Sequence, residues 1–312
     1  MKLVVETLER YDLDGLELDF MREPYLFREG AEAEGAKILE AFVREVRKLT
    51  EQAAAKRGHP VRLGVRVPSH IEVAQGWGLD AIQWAKEELV DLVVPTPRWS
   101  TLEYDLPLAA WKQALAGTGV TLAGGLEILC RPMPGGLAHS VTPERAVGAA
   151  AAVLASGADD VYLFNYFPNI AWSRPDYLKT LQAMSSLDAL RKLPRRHVVT
   201  WRDIIGPHEA YTPPLPAIGA ALSFALPTGP AAPAGAAVTL ELQVKGEANT
   251  PAPEVRINDT ACALQESKPN DHGVLFVYTV PATMLLTVEP NRISVSAGQP
   301  VTVEGVEMRI VP

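Results

Sequence analysis

The sequence has little of what several classes of protein require. Its 312 residues include only two cysteines, Cys130 and Cys262, which lie in segments that we assign to different domains. Neither a disulfide framework nor a thiolate metal site is therefore expected. There is no run of about 18 apolar residues, so no membrane span is predicted. The N-terminus lacks the apolar core and cleavage site of a secretory signal, and the cellular compartment stays open.

Excess basic charge and the common catalytic motifs are also missing. The formal net charge is −8, whereas a nucleic-acid partner requires a basic face, so no such partner is expected. The six histidines show no metal-ligand spacing. Neither a glycine-rich phosphate loop nor a G-x-S-x-G elbow occurs. The sequence thus predicts no metal, no cofactor and no serine-hydrolase chemistry.

The first 195 residues alternate short apolar runs with helical patterns. Strands are expected at 14–20, 61–67, 90–95, 120–128 and 160–166. Amphipathic helices are expected at about 2–11, 31–57, 79–88, 106–116, 142–156 and 175–192. The helix near 142 has Thr142 as its N-cap, followed by Pro143 and Glu144 in the first turn. This alternation indicates a parallel sheet with right-handed crossovers.

Charged residues at alternate strand positions favour a barrel over an open sheet. Glu17 and Asp19, then Arg62 and Arg66, then Glu127 share one face of their strands. An open doubly wound sheet buries both faces of its central strands. A (β/α) barrel turns one face to its helices and places its site at the C-terminal mouth. Five strands cannot close an eight-stranded barrel, so we expect a partial TIM-type barrel that lacks the first three β/α units.

The amino-acid composition and the pattern of apolar residues change from about residue 213. A stretch rich in Pro, Ala and Gly leads into short β-type runs separated by turn signals, which is typical of an antiparallel β-sandwich. These runs lie at 237–244, 254–258, 274–280, 284–288, 292–296 and 301–311. The predicted organisation is a partial barrel at 1–195, a connecting segment at 196–213 and a β-sandwich at 214–312. Apolar bulk within 195–214 predicts that the sandwich packs against the barrel.

The stretch DGLELDFMREP, 14–24, resembles the fourth-strand signature of glycosyl hydrolase-like family 10 barrels. That signature is Asp-Gly-aliphatic-x-aliphatic-Asp, an aromatic, an aliphatic, then Arg-x-Pro. VRLGVRVP and GADDVYLFNYF are similar to the fifth and eighth strands of such barrels, and the C-terminal runs resemble galactose-binding-like sandwiches. Glycoside hydrolase family 18 has a related strand, but Met21 stands in place of its catalytic Glu. The resemblance implies a carbohydrate substrate without chitinase chemistry.

Glycoside cleavage requires two carboxyl groups across the scissile bond, one protonated and one ionised. Asp19 ends the first strand on its inward face, and Glu127 ends the fourth. We expect these two to be the catalytic pair acting on a poly- or oligosaccharide. The structural alternative is a salt-bridge lattice in which Glu17 and Glu127 pair with Arg62 and Arg66 of the second strand. Glu103, in a loop, is a reserve acid.

Substrate-binding residues are expected around this pair. They are Glu17, Arg22, Arg66, His70, Trp99, Asn165 and Tyr166. Arg22 could hold Asp19 or an acidic sugar, and Trp77 and Trp99 lie in loops where indole faces stack on sugar rings. Structural packing explains each of these residues as well. The alternative function is a non-catalytic carbohydrate-binding or scaffold protein. The open edges of the partial barrel predict a homodimer.

Overall fold

The computed structural model describes residues 1–167 and 172–312. The helices are α1 (Lys2–Arg10), α2 (Glu32–Arg57), α3 (Ile71–Gly76), α4 (Ala81–Lys86), α5 (Leu108–Ala114), α6 (Pro143–Ala155), α7 (Arg174–Ala183) and α8 (Leu187–Leu190), with a 3₁₀ turn at Ala282–Met284. The strands are β1 (Gly15–Asp19), β2 (Arg62–Pro68), β3 (Leu92–Thr96), β4 (Thr121–Glu127), β5 (Leu129–Cys130), β6 (His139–Ser140), β7 (Asp160–Phe164), β8 (Arg195–Val198), β9 (Ala217–Leu226), β10 (Ala237–Lys245), β11 (Glu254–Ile257), β12 (Thr260–Ala261), β13 (Ala263–Asn270), β14 (Gly273–Thr279) and β15 (Asn291–Val311).

The predicted strands of the first region form one parallel sheet. In the described residues this sheet has five strands in the order β1–β2–β3–β4–β7. The order of the strands in the sheet is therefore the order in which they occur along the chain. The sheet curls strongly, so that its two edge strands approach each other. The Tyr162 hydroxyl of β7 donates a hydrogen bond to Glu17 of β1 across the concave side at 3.0 Å. We call this curled sheet the half-barrel.

The two faces of the half-barrel differ as the alternation predicts. Leu63, Val65 and Val67 of β2 point to the convex face and are fully buried in a core shared with α2. Burying an aliphatic side chain of this size stabilises the fold by about 1.5–3 kcal/mol. The intervening position, Arg66, points to the concave face and meets Asp19 of β1 there. Apolar packing on the helices therefore fixes the register that turns the charged residues inward.

The second region is an antiparallel near-barrel. Within the described residues, eight strands are joined into one sheet because the long strand β15 pairs with β8, β9, β10 and β11. Alternate positions Leu240, Leu242 and Val244 of β10 are fully buried in its core. Antiparallel β-structure is thus confirmed, whereas the hydrogen bonds do not divide it into the two separate sheets of a sandwich.

Several predicted elements of this region need correction. The strand expected at 284–288 is wrong: a 3₁₀ turn and bends occupy this stretch, between Pro281 and Pro290, which lack the N–H needed for sheet pairing. The two runs at 292–296 and 301–311 belong to the single strand β15. β9 was not expected from its Ala- and Gly-rich sequence, and neither was β13, in which every residue is exposed.

Helix α6 connects the half-barrel to the near-barrel. Glu144 accepts hydrogen bonds from Arg196 of β8 at 2.9 Å and from Arg309 of β15 at 2.7 Å, and Arg145 donates to Glu307 at 2.7 Å. β8 also pairs directly with β15. These contacts are those of a packed arrangement, as the apolar content of 195–214 predicts. The domain boundaries at 195 and 213 stay a prediction.

Three smaller observations complete the fold. Cys130 is buried and Cys262 is half-buried, and both are free thiols. Within residues 1–167 and 172–312, none of the helices combines the length and apolar character that crossing a bilayer requires. In the same residues, no three histidine, cysteine or acidic side chains converge as metal ligands do.

Candidate active site at the mouth of the half-barrel

The carboxyl ends of the parallel strands meet at one rim of the half-barrel, which we call the mouth. Strand pairing places Asp19 opposite Arg66 and places Glu127 opposite Phe164. Both predicted carboxylates therefore end their strands at the same rim, on the concave face. Active sites of (β/α) barrels occupy this position because the loops that follow the strands can vary without disturbing the core.

Asp19 and Arg66 form an ion pair at this rim. One carboxylate oxygen of Asp19, Oδ1, accepts from Arg66 Nε at 2.9 Å and from the Met21 backbone N–H at 2.9 Å. Arg66 is 0% exposed, and its guanidinium carbon lies 3.8 Å from the centroid of the Phe164 ring. Its two terminal nitrogens find no acceptor among the described residues. Buried donors in native proteins are nearly always hydrogen-bonded, so these two are available to a further group.

Glu127 is a buried carboxyl with unused hydrogen-bonding capacity. It is 2% exposed, and its Oε2 atom has no partner among the residues that the structure describes. Burial raises the pKa of Glu127 to about 7, although backbone N–H groups of Ile128 and Leu129 and the charge of Arg66 lower it. At neutral pH this carboxyl exists in both protonated and ionised forms, which is the property of a general acid.

Gly125, which lies beneath Glu127 on β4, leaves room for the Thr96 side chain of the neighbouring strand β3. A Cβ atom on Gly125 would lie 2.1 Å from the Thr96 hydroxyl oxygen of β3, which is far inside van der Waals contact. Thr96 is itself buried, and its hydroxyl has no hydrogen-bond partner in the described part of the chain. The concave face below Glu127 is thus filled by the Thr96 side chain.

Glu17 lies one layer deeper than Asp19, and its partner is not the arginine that the lattice alternative requires. It accepts a hydrogen bond from the Tyr162 hydroxyl, and burial is the largest influence on its pKa, which is raised. Among the described residues, neither Glu17 nor Glu127 forms an ion pair with an arginine of β2, whereas Asp19 does. The lattice alternative is therefore wrong for both glutamates, and Arg66 pairs with Asp19 instead. Glu17 serves to join the two edges of the half-barrel.

Glu103 and His70 form a second polar cluster near the end of β2. The Ser69 hydroxyl donates to Glu103 at 2.8 Å and lies 3.1 Å from His70 Nδ1. Burial raises the pKa of Glu103 well above its usual range, and it lowers the pKa of His70, as does the charge of Arg202. The reserve acid is therefore a buried carboxyl held by a serine, separate from the Asp19–Arg66 pair.

Arg22 and Trp99 lie together on the outer side of the mouth. The Arg22 guanidinium is 5.9 Å from the Trp99 ring centroid, and no hydrogen bond to Asp19 is among the described contacts. The backbone N–H groups of Trp99 and Ser100 donate to Asp203 Oδ2 at 3.3 and 2.8 Å. Arg22 thus faces an aromatic ring rather than the carboxylate that the sequence suggested as its partner.

Asn165 and Tyr166 directly follow β7, and the backbone of the first and the contacts of the second indicate structural roles. Tyr166 is buried, and its hydroxyl donates to the Glu127 backbone carbonyl at 3.1 Å, with the Trp172 ring at 5.7 Å. Asn165 adopts a left-handed φ of 61°, which ends the strand. Of the two readings open for Tyr166, closing the core fits these contacts, while its position behind Glu127 helps fix that residue's backbone.

Some residues at the mouth escaped the sequence analysis. They are Tyr25, Thr96, Arg98, Tyr162, Phe164 and Asp203. The alternation in β7 does contain a signal for Tyr162 and Phe164, because Val161 and Leu163, at the alternate positions, pack on the convex core. Arg98 follows the end of β3 just as Arg22 follows that of β1. Asp203 carries no local signal, since its role depends on a loop about a hundred residues away in sequence.

Comparison with known proteins leaves the family open. No protein-family model matches the chain, and no curated protein matches it. Among solved structures, the chain is similar to a substituted BuGH86 in complex with neoagarooctaose, with 14% identity, a TM-score of 0.27 and coverage of 38% of this chain. The chain spans 18% of the length of that protein.

Two further structures show the same kind of distant similarity. A family GH18 chitinase from Chromobacterium violaceum is 10% identical with a TM-score of 0.36, and the match covers 98% of this chain and 67% of that one. BpGH86A, a β-porphyranase of glycoside hydrolase family 86 from Bacteroides plebeius, is 9% identical with a TM-score of 0.26, covering 88% of this chain and 74% of that one. These TM-scores are too low to establish a shared fold, so neither fold nor function follows from them.

Proposed function

We propose that this chain is a glycoside hydrolase-type enzyme that cleaves glycosidic bonds of a poly- or oligosaccharide at the mouth of its half-barrel. In this proposal the half-barrel derives from a TIM-type barrel, spans residues 1–195, and is joined through 196–213 to an accessory domain at 214–312. Glu127 is the general acid and Asp19 is the ionised carboxylate. Arg66 is a positioning residue that holds the Asp19 charge.

One observation carries this proposal. Two carboxyl groups end strands at the same rim in opposite electrostatic settings, because Asp19 is paired with Arg66 while Glu127 is buried with a pKa of about 7. A buried carboxyl group with a raised pKa at the same rim as an ion-paired carboxylate is the arrangement that glycoside cleavage requires.

The chemistry assigned to each group follows from its position. Protonated Glu127 gives its proton to the glycosidic oxygen as the bond from that oxygen to the anomeric carbon breaks. Asp19 Oδ2 has no hydrogen bond in the described part of the chain, so it is the atom that attacks the anomeric carbon or deprotonates a water. Because Glu127 must carry the proton, kcat/KM falls as the pH rises through about 7.

A second candidate, a non-catalytic carbohydrate-binding protein, is favoured by a different observation. Glu127 is only 2% exposed, so a sugar reaches it only after side chains at the mouth move. Trp99 and Tyr25, in contrast, are 47% and 42% exposed at the same rim and need no such movement. Under this alternative, Glu127 is a buried structural acid and the aromatic rings bind sugar without turnover.

Reducing-sugar release from a polysaccharide panel separates these candidates. We expect the wild type to release sugar and Asp19→Asn and Glu127→Gln each to lose activity by about 100-fold or more, as loss of an acid or base does. Asp259→Asn, an exposed carboxylate of the near-barrel, is the control and keeps full activity. Thermal unfolding of each variant shows that it is folded.

The remaining outcomes are informative as well. Activity that survives both substitutions contradicts the assignment of Asp19 and Glu127. Loss of activity in Glu103→Gln but not in Glu127→Gln would transfer the acid role to the buried cluster beside Ser69. Sugar binding without turnover by the wild type supports the binding protein instead.

A further inference from the structure

Aromatic rings and guanidinium groups, three of them exposed and two half-buried, form a cluster on the outer side of the mouth. We define the Trp99 cluster as Arg22, Tyr25, Trp77, Arg98 and Trp99. The guanidinium carbons of Arg22 and Arg98 lie 5.9 and 5.7 Å from the Trp99 ring centroid, and Arg98 is also 5.2 Å from the Tyr25 ring. One indole ring is thus approached by two positive charges.

Contacts beneath the cluster hold the Trp77 ring and the Trp99 backbone in place. Trp77 donates its indole N–H to the Ile205 carbonyl at 2.7 Å, and its ring meets Tyr25 edge-on at 4.8 Å. The backbone at Trp99 is held by Asp203. Despite this support, Trp99 remains 47% exposed. A rigid aromatic face open to solvent is the usual platform for an apolar ligand face, because little conformational entropy is lost on binding.

One of the two guanidinium groups of the cluster has no ion-pair partner among the described residues. Arg98 pairs with Glu23 at 3.0 Å, and its Nε atom is buried without an acceptor among the described residues. Arg22 is exposed and forms no ion pair with any described residue. The carboxylates of Glu23 and Asp203 also contact this cluster, so the charge that remains for a ligand is chiefly that of Arg22. Guanidinium groups bind a carboxylate or sulfate through paired N–H donors.

We propose that the Trp99 cluster binds a sugar residue that carries a carboxylate or sulfate group. The ring face packs on the Trp99 indole, and the anionic group lies between Arg22 and Arg98. The inference rests on the proposed carbohydrate function and adds its substrate class, an anionic poly- or oligosaccharide. The side chains at this position recognise the charge, whereas Asp19 and Glu127 act on the bond.

Matched ligand pairs test the charge directly. Calorimetry compares the full chain binding oligogalacturonate with the methyl-esterified oligomer, and a sulfated galactan oligomer with its desulfated form. We expect tighter binding of the charged member of at least one pair, which identifies the anionic group as carboxylate or sulfate. Arg22→Met and Arg98→Met each weaken binding of that charged member by about tenfold and leave the neutral member unchanged.

Two more variants complete the design. Trp99→Ala weakens binding of both members of a pair by a similar factor, since it removes the stacking face. Arg10→Met is the matched control, because this exposed arginine lies on α1 away from the mouth and its loss changes no affinity. Polyglutamate serves as a polyanion without sugar rings, and we expect it to bind weakly and independently of Trp99.

The outcomes distinguish this inference from the proposed function. Equal affinity for charged and neutral members, or unchanged affinity in both arginine variants, overturns the inference. Polyglutamate binding that matches the oligosaccharides and depends on Arg22 would also overturn it. Hydrolysis of neutral glycans that requires Glu127 then leaves the enzyme proposal standing. Charge-dependent binding without any hydrolysis supports the inference and contradicts the enzyme.

Discussion

At the scale of single residues, burial decides the chemistry of the mouth. Asp19 and Glu127 are both carboxylic acids that end strands of the same sheet, yet one is exposed and paired with a buried arginine while the other is nearly inaccessible. The difference arises because Arg66 binds Asp19 directly from the neighbouring strand, whereas burial is the largest influence on the pKa of Glu127 and exceeds the effects of its backbone hydrogen bonds and of the Arg66 charge. Burial therefore raises the pKa of Glu127.

Replacing Glu127 by glutamine should change how stability depends on pH. The folded-state pKa of Glu127 is raised from 4.5 to about 7, so between these values the folded chain binds a proton that the unfolded chain has released. The free energy of unfolding therefore decreases as the pH rises through this window. At about 1.4 kcal/mol per pKa unit, the wild type should lose roughly 3 kcal/mol more than Glu127→Gln across it.

Urea denaturation at several pH values measures this difference. Other buried acids such as Glu103 contribute equally to both proteins, so comparing wild type with Glu127→Gln isolates the one group. Glu45→Gln, an exposed acid of α2, serves as the control and should follow the wild type. Parallel pH dependences for wild type and Glu127→Gln would show that this carboxyl is not held protonated by burial.

At the scale of elements, α6 is the part of the fold that joins the two sheets. One side of its first turn binds arginines of β8 and β15 through Glu144. A turn later, the helix backbone lies directly against β8, because a Cβ atom on Gly148 would be 2.0 Å from the Arg196 carbonyl oxygen. This glycine therefore serves close approach of helix and strand rather than a turn.

Gly148→Ala should destabilise the protein even though alanine is the better helix former. An exposed helical position would gain about 1 kcal/mol from this change. Here the methyl group must push β8 away, and overpacking of this kind costs about 1–3 kcal/mol. Chemical denaturation measures the sign, with Gly298→Ala as the control, since no atom lies within 4 Å of a Cβ at that position. A stabilised Gly148→Ala would contradict the close contact.

At the scale of the whole molecule, the half-barrel has two edges. β1 and β7 each pair with one neighbour among the described residues, and their outer flanks carry backbone groups without a strand partner. The Tyr162–Glu17 hydrogen bond draws these strands toward each other through side chains and leaves the backbone groups unpaired. Unpaired edges of this kind invite pairing with another chain.

We therefore expect a homodimer that meets through these edges, with β1 at or near the contact. Closed twofold dimers are the commonest oligomers, and pairing would satisfy the open edges of both copies. Light scattering at micromolar concentration measures the mass, and specific activity should fall on dilution because Asp19 ends the edge strand β1. Ile218→Lys, an exposed apolar residue of the near-barrel, is the control and leaves the dimer intact. A monomer with unchanged activity contradicts this expectation.

Local sequence patterns determined a large part of this architecture. Each predicted strand of the first region is present, and the strand expected at 61–67 forms at 62–68, because apolar residues at alternate positions must face the helices. Capping also acts locally: Thr142 accepts a hydrogen bond from the Arg145 N–H and begins α6 as predicted. The alternation further determined that Asp19, Arg66 and Glu127 face the concave side.

Elements without an apolar face could not be recognised in this way. β13 is exposed along its whole length and exists because its backbone pairs with β14. β8 contains buried Arg195 and His197, which no pattern of hydrophobicity marks as strand residues. In both cases the strand is defined by its partner, which is the distant strand β15 for β8 and the adjacent hairpin strand β14 for β13, so the segment's own sequence carries little of the signal.

The sequence by itself thus determined which residues form the strands of the half-barrel, which face each of those strands turns inward, and which two carboxyl groups end at the same rim. Only the tertiary structure decided how those groups differ. Burial of Glu127, pairing of Asp19 with Arg66 and the anchoring of Trp99 by Asp203 all depend on chain segments that are distant in sequence. Desolvation and charge pairing depend on three-dimensional distance, and a one-dimensional pattern does not contain that distance.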